Sequence, residues 1–323
     1  MIIIGILVVF VLLLGGGIWA IARTLPPARS NTASGSNSST GSNSAGESFA
    51  KEVKLNNVTI TYSSVQITFT SIQQANEFSD DSFTTSYSSL SKKKNYVRIN
   101  FSEEQQAERS SYYSYRSALR LLLPDKSVLT PLKTLEYSGP ERGVKRTNWA
   151  DFETRELLDL SQLTLRLGSA DEAQMELPLK DGTDVSKYQP KKITLNKQFQ
   201  YATLNWTLKG ATQSYYFQGK QARTNKVYIT VELRADNNSV SRLYFYSDFV
   251  RLQAGETVAK TEYGSDLNDF TVVEPDTTNH QGTATFLVPP SNSYTLQFLA
   301  GRGFDKQTID FSLVQYPQTD RSK

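Results

Sequence analysis

The 323-residue chain carries 35 basic and 32 acidic side chains, no cysteine and a single histidine, His280. Absence of cysteine excludes disulfides, thiolate catalysis and cysteine-ligated zinc or iron–sulfur centres, and one imidazole excludes a histidine-rich metal site. A formal charge of +3 is too even a balance for the basic stripe that nucleic-acid binding requires, so no nucleic-acid partner is expected.

The N-terminal run Ile2–Ala22, IIIGILVVFVLLLGGGIWAIA, holds no charged residue. At ~1.5 Å rise per residue it spans the ~30 Å hydrocarbon core of a bilayer. Gly15, Gly16 and Gly17 weaken a helix in water but are tolerated in membrane helices, and Trp19 sits where an interfacial indole is favoured. Residues 1–22 are therefore predicted to form a transmembrane helix, and residues 2–22 are the expected membrane contact. Ala20-Ile21-Ala22 also resembles a small-x-small cleavage site, which makes a cleaved, secreted form the alternative. Arg23 and Arg29 favour a cytoplasmic C-terminal side. The polar tract and the strand-like segments downstream of the helix argue for the outside, so extracellular domains on a single-pass cell-membrane anchor are expected.

Residues 23–49 read as a flexible tether: RSNTASGSNSSTGSNSAGES, from Arg29 to Ser48, contains no large apolar side chain and cannot bury enough surface to offset chain entropy. Beyond Phe49 the texture changes to alternation. Val65, Ile67 and Phe69 share one face at period two, as do Val97, Ile99 and Phe101, and Val227, Ile229, Val231 and Leu233. Thr164–Leu167 and Tyr294–Phe298 repeat the pattern, with Pro-Asp, Asn-Asn, Asp-Gly and Ala-Gly-Glu as punctuation, which indicates antiparallel strands. Ser102–Ser117 and Asp151–Leu160 resist the alternation, and each reads as a short helix or a loop insertion.

Three segments recur in the same order at nearly one spacing. Asn95-Tyr96-Val97 aligns with Lys226-Val227-Tyr228 at 131 residues, Leu122–Val128 with Leu252–Val258 at 130, and Leu163–Leu167 with Tyr294–Phe298 at 131. The predicted fold is all-β: two tandem β-sandwich domains over 50–187 and 189–316, each of ordinary sandwich size, with equivalent strands at Val97/Val227 and Leu165/Leu296, followed by a tail at 317–323.

Within each unit an aliphatic strand precedes Tyr96-Val-Arg-Ile99 or Val227-Tyr-Ile-Thr-Val231. A strand ending in Leu123-Pro-Asp-Lys126 or Ala254-Gly-Glu-Thr257 comes next. In the second unit Gly282–Pro289 then leads into Tyr294-Thr-Leu-Gln-Phe298. This order resembles the telokin-like, immunoglobulin-type domain of bacterial exported proteins, and is similar to the immunoprotective extracellular antigen family. The resemblance implies two immunoglobulin-like sandwiches behind a membrane helix and polar linker, and brings no catalytic residues with it.

Chemistry-bearing residues are sparse. His280 lies in Asp276-Thr-Thr-Asn-His-Gln-Gly282, which reads as a polar surface loop, and a catalytic base needs a nucleophile and an orienting acid beside it. Asp80-Asp81 and Asp266/Asp269 lack the alternating spacing of a calcium loop. Lys92–Lys94 and Lys191-Lys192 read as protected sheet edges. Asn37, Asn57, Asn205 and Asn237 match the glycosylation pattern. No catalytic residue, cofactor or metal site is expected. Among the aromatic clusters, Tyr215-Tyr216-Phe217 and Tyr244-Phe-Tyr246 fall in strands, whereas Tyr112, Tyr113 and Tyr115 lie in the insertion and are the candidate exposed partner-contact face. The expected task is non-enzymatic: adhesion, sensing or scaffolding by protein or polymer contacts. The alternatives are a carbohydrate or cell-wall-glycan module using exposed tyrosines, and a glycosidase with paired carboxylates.

Overall fold

A computed structural model of the chain describes residues 51–76, 78, 95–106, 113–245, 247–266, 272–301 and 303–313. The expected transmembrane helix, linker and tail, together with Tyr112, Lys92–Lys94, Asp80-Asp81, Tyr246 and Asp269, lie outside the described residues. Among the described residues no helix is long and apolar enough to cross a membrane.

Alternation of β-branched and aromatic residues builds nine strands before residue 180. They are β1 (Lys51–Tyr62), β2 (Val65–Ala75), β3 (Asn95–Gln105), β4 (Leu119–Leu122), β5 (Val128–Leu129), β6 (Lys133–Thr134), β7 (Lys145–Thr154), β8 (Thr164–Leu167) and β9 (Met175–Pro178). They form two antiparallel sheets in the orders β1-β2-β3-β7-β6 and β5-β4-β8-β9. Side chains from both sheets, among them Ile67, Phe69, Ile99, Phe152, Leu121 and Leu165, meet in one buried core. Burying each such side chain contributes about 1.5–3 kcal/mol.

A second set comes after residue 190: β10 (Lys191–Tyr201), β11 (Leu204–Ser214), β12 (Tyr216–Phe217), β13 (Lys220–Gln221), β14 (Val227–Asn237), β15 (Leu243–Tyr244), β16 (Val250–Ala254), β17 (Thr257–Lys260), β18 (Val272–Val273), β19 (Thr277–Val288), β20 (Tyr294–Phe298) and β21 (Gln307–Phe311). Its two main sheets, β10-β11-β14-β19 and β17-β16-β20-β21, enclose a separate core that includes Trp206, Val231, Phe286 and Leu296. The small two-stranded sheets β12-β13 and β15-β18 have no counterpart in the first half, and β6 has none in the second, among the described residues.

The two halves match strand for strand in their main sheets, down to irregularities. The β1-β2 turn is Ser63-Ser64 (φ 48° and 66°) and the β10-β11 turn is Ala202-Thr203 (φ 50° and 65°). Two consecutive left-handed residues in a two-residue loop suit the right-handed twist of the flanking strands. Register shifts occur in the same places, between Phe69/Ser71 and between Leu208/Gly210. On the second sheet Leu165 pairs with Leu121, as Leu296 pairs with Leu252, so Leu252 answers to Leu121 and not to Leu122, the residue that the 130-residue spacing set against it.

Three expectations change. Counted from the turns, Gln74 opposite Val97 matches Gln213 opposite Ile229, so the partner of Val97 is Ile229, two residues beyond Val227. A shift of two keeps the same face, which is why alternation alone did not register it. Among the described residues of Ser102–Ser117 and Asp151–Leu160, β3 runs through Gln105, β7 covers Asp151–Thr154, and only the single turn Tyr115–Ala118 is α-helix. His280 stands in β19 opposite Ala235, in a strand and not in a loop, half-buried beside the edge.

Candidate functional site

Two of the three tyrosines expected to face solvent, Tyr113 and Tyr115, turn toward the core instead. Tyr115 is buried, and Tyr113 is half-buried against the first core. The Tyr113 ring meets Tyr62 edge-on at 4.9 Å and Tyr115 at 5.2 Å, with the Tyr113 and Tyr115 hydroxyls 3.1 Å apart. Gly139 admits the ring: a Cβ there would come within 3.0 Å of it. These aromatics close the end of the core because their large apolar faces outweigh one hydroxyl each. Burial pushes the Tyr113 phenol well above its ordinary value, and does the same to Tyr62.

Beneath them Glu103 points inward from β3. It is fully buried, accepts from Arg146 Nε at 2.6 Å and Asn148 Nδ2 at 3.1 Å, and leaves Oε2 without a partner. Burial raises its carboxyl above the ordinary range, opposed by Arg146. Counting along the strands, the second half has Ala235 where the first has Glu103.

Tyr62 links this cluster to the meeting point of the halves. Its hydroxyl donates to Glu172 Oε2 at 2.7 Å, and the Ser169 amide donates to the same oxygen at 2.8 Å. The adjoining β1-β2 turn is held by the second half: Ser63 N donates to Gln221 Oε1 at 3.2 Å, and Gly219 N donates to Ser64 Oγ at 2.9 Å. The chain before β9 pairs with the chain after β13, through Ala173 N to Ala222 O at 2.7 Å and Thr224 N to Asp171 O at 2.9 Å.

A cleft of about 460 Å³ opens beside this seam, lined by residues of both halves, including Glu172, Glu176, Lys187, Tyr188, Tyr215 and Lys226. Its size falls in the ~300–1,000 Å³ range of ligand sites. Tyr188 is buried at its floor, with its hydroxyl accepting from Glu176 N at 2.7 Å and its ring 6.0 Å from that of Tyr215. Lys187 Nζ lies 4.7 Å from the centre of the Tyr188 ring, a cation–π geometry. Tyr215 is half-buried and packs against both cores. Asn225, at the rim, is exposed and left-handed at φ 59°.

Both carboxylates of the cleft are already engaged. Glu176 takes Arg166 at 2.7 Å, and Glu172 is held under Tyr62 and Ser169. Neither lysine meets a carboxylate at ion-pair distance among the described residues. Among the described residues no three His, Asp or Glu side chains converge on a metal position. Asp266 instead accepts from the Thr283 amide, in the middle of β19, at 2.8 Å. Asn237, one of the glycosylation-pattern residues, is fully buried and donates to the carbonyls of Ser241, Val273 and Glu274, each at 3.0 Å, so its nitrogen is not available in the fold.

The sequence pointed to part of this cleft without assembling it. Tyr188-Gln-Pro190 marked the joint and Tyr215-Tyr216-Phe217 an aromatic cluster, but no spacing rule brings residues 172, 187, 215 and 226 together. The signal that was available is the combination of a joint with an aromatic residue on each side of it.

No protein-family model matches the chain, and no curated protein matches it. Solved structures that it resembles include a functionally unknown protein from Listeria monocytogenes EGD-e, at 13% identity and TM-score 0.30, over 38% of this chain and 84% of that one. Another is the conserved domain protein from Bacillus anthracis, at 11% identity and TM-score 0.24, over 81% of this chain and 92% of that one. Likenesses of this degree carry no conclusion about function, and the residues of the chain itself remain the basis for one.

Proposed function

We propose that the chain is a membrane-anchored, extracellular binding protein whose two immunoglobulin-like sandwiches, of the telokin-like type, present the junction cleft to a protein or polymer partner without catalysing a reaction. The observation that supports it most is the cleft itself. It is shared by both halves, floored by aromatic rings and rimmed by cations, while its two carboxylates are tied to internal donors. A glycosidase needs one carboxyl poised as acid and a second as base or nucleophile, ~5–10 Å apart and free to exchange protons. Glu176 under Arg166 and Glu172 under Tyr62 are held in fixed roles instead. The uncharged run Ile2–Ala22 and the Ser/Asn/Gly tract behind it support the anchored, outward-facing arrangement.

Protease treatment of intact cells producing the chain tests the placement. Digestion of the folded part with a membrane-retained N-terminal fragment is the expected result. Full protection on intact cells, with digestion after lysis, refutes it. A substrate panel of glycosides, esters and peptides tests the absence of catalysis, and turnover that is lost in Glu172→Gln or Glu176→Gln refutes that part.

A further inference from the structure

The geometry points to a segment of acidic polysaccharide as the ligand of the junction cleft, with Lys187 and Lys226 receiving its anionic groups; the inference rests on the binding-module reading above. The cleft's charges divide unequally. Arg166 neutralises Glu176 at 2.7 Å, and Glu172 accepts two internal hydrogen bonds at 2.7 and 2.8 Å. Lys187 and Lys226 have no carboxylate at ion-pair distance among the described residues; Lys187 is held by Tyr188 and feels Glu176 from farther off, and an ammonium with three donors keeps some of them for a ligand. An ammonium is a point charge with three rotatable donors, which tolerates a carboxylate or a phosphodiester in several orientations.

The rest of the lining suits sugars more than an acidic peptide. Tyr215 offers a half-buried ring, an apolar face with a polar edge, against which the C–H face of a sugar ring packs. Gln174 is exposed and donates its amide to Ser169 O at 3.1 Å, which leaves its side-chain oxygen as an acceptor. Asn225 supplies a further exposed amide at the rim. Acceptors and donors of this kind match a ligand rich in hydroxyl groups. An acidic peptide is held through a strand edge or a cluster of arginines; the seam beside the cleft already uses its main-chain groups on itself, and the lining carries lysines and no arginine.

The test is calorimetric titration of the full 323-residue chain, purified in nonionic detergent, with octagalacturonate and with a phosphodiester-linked phosphomannan. The fully methyl-esterified octagalacturonate serves as neutral control. The variants are Lys187→Gln/Lys226→Gln, and Lys145→Gln/Lys306→Gln as a pair of the same charge change at positions outside the cleft. Saturable binding of either polyanion is expected, weakened tenfold or more by the cleft double variant and less than twofold by the control pair. Which polyanion binds identifies the anion as carboxylate or phosphodiester. Binding of neither, equal binding of the methyl ester, or equal loss in both double variants overturns the inference. Saturable binding of a different partner that survives the cleft variant overturns the ligand assignment alone. Release of new reducing ends from octagalacturonate during the titration overturns the binding-module reading itself.

Discussion

Leu165 and Leu296 are both fully buried, occupy matching places in β8 and β20, and belong to different cores. Replacing either by alanine removes three carbon atoms from a site walled by two hydrogen-bonded sheets, where collapse onto the void is restricted. Such changes cost about 3–5 kcal/mol, against a typical domain stability of about 5–15 kcal/mol. With a urea dependence near ~1.5 kcal/mol/M for a unit of this size, a loss of about 3 kcal/mol lowers the midpoint by about 2 M. Each half carries its own fluorescent reporter. Trp149 lies on the outer face of the first large sheet with the Arg98 guanidinium 3.9 Å over its ring, and Trp206 lies in the second core. In a Trp19→Phe background, with Trp149→Phe or Trp206→Phe isolating one reporter, Leu165→Ala is expected to move the Trp149 transition by about 2 M. The Trp206 transition should stay within about 0.3 M, the ordinary error of additivity between independent sites. Leu296→Ala is expected to do the converse. Coincident movement of both reporters in either variant would show that the halves unfold as one cooperative unit, and would refute the inference of independent cores joined by a hydrogen-bonded seam.

Thr203 holds φ 65° in the β10-β11 turn, a conformation that opposes a β-branched residue. Thr203→Gly is therefore expected to raise the urea midpoint of the second half, by up to about 1 kcal/mol after the added entropy of the unfolded chain; an unchanged or lower midpoint counts against the strain. Asn237→Ala leaves three carbonyls, that of Val273 buried, and the Ser239 amide short of a partner, and is expected to cost the second half about 2–4 kcal/mol in the same titration. Glu103 has its carboxyl raised in the fold by burial, so the folded state binds the proton more tightly than the unfolded state between the ordinary value of 4.5 and the raised one. Its contribution is then fully present below pH 4.5 and is lost as pH rises through the folded value. Relative to Glu103→Gln, the wild type should lose first-half stability over that rise, and parallel stability–pH curves would show that burial does not dominate Arg146.

Much of the architecture was legible in the sequence because strand alternation and turn residues act locally. Val65-Gln-Ile-Thr-Phe69 declares its buried face by itself, and three segments at spacings of 130–131 residues pointed to a repeated half, of which only Leu163–Leu167 with Tyr294–Phe298 keeps its register in the strands. Periodicity cannot say where a strand stops or how far a partner has slid by an even number of residues. It therefore matched Val97 to Val227, where the bulges after Phe69 and Leu208 select Ile229. It also cannot tell a solvent-facing tyrosine from one that caps a core. Tyr113 and Tyr115 became interior because Gly139, Tyr62 and Phe101 leave room for their rings at the end of the first sandwich. Glu103 shows the same limit: its alternation places it inward after Phe101, but only Arg146 and Asn148, brought from β7, make a buried carboxylate tolerable there. The cleft is the most complete case. Glu172, Lys187, Tyr215 and Lys226 come from both sides of the joint, and what sets their spacing is the backbone pairing of residues 171–173 with 222–224. Local chemistry determined the strands and their duplication; the seam between the two cores, a product of long-range hydrogen bonding, decided which charged and aromatic side chains face one another.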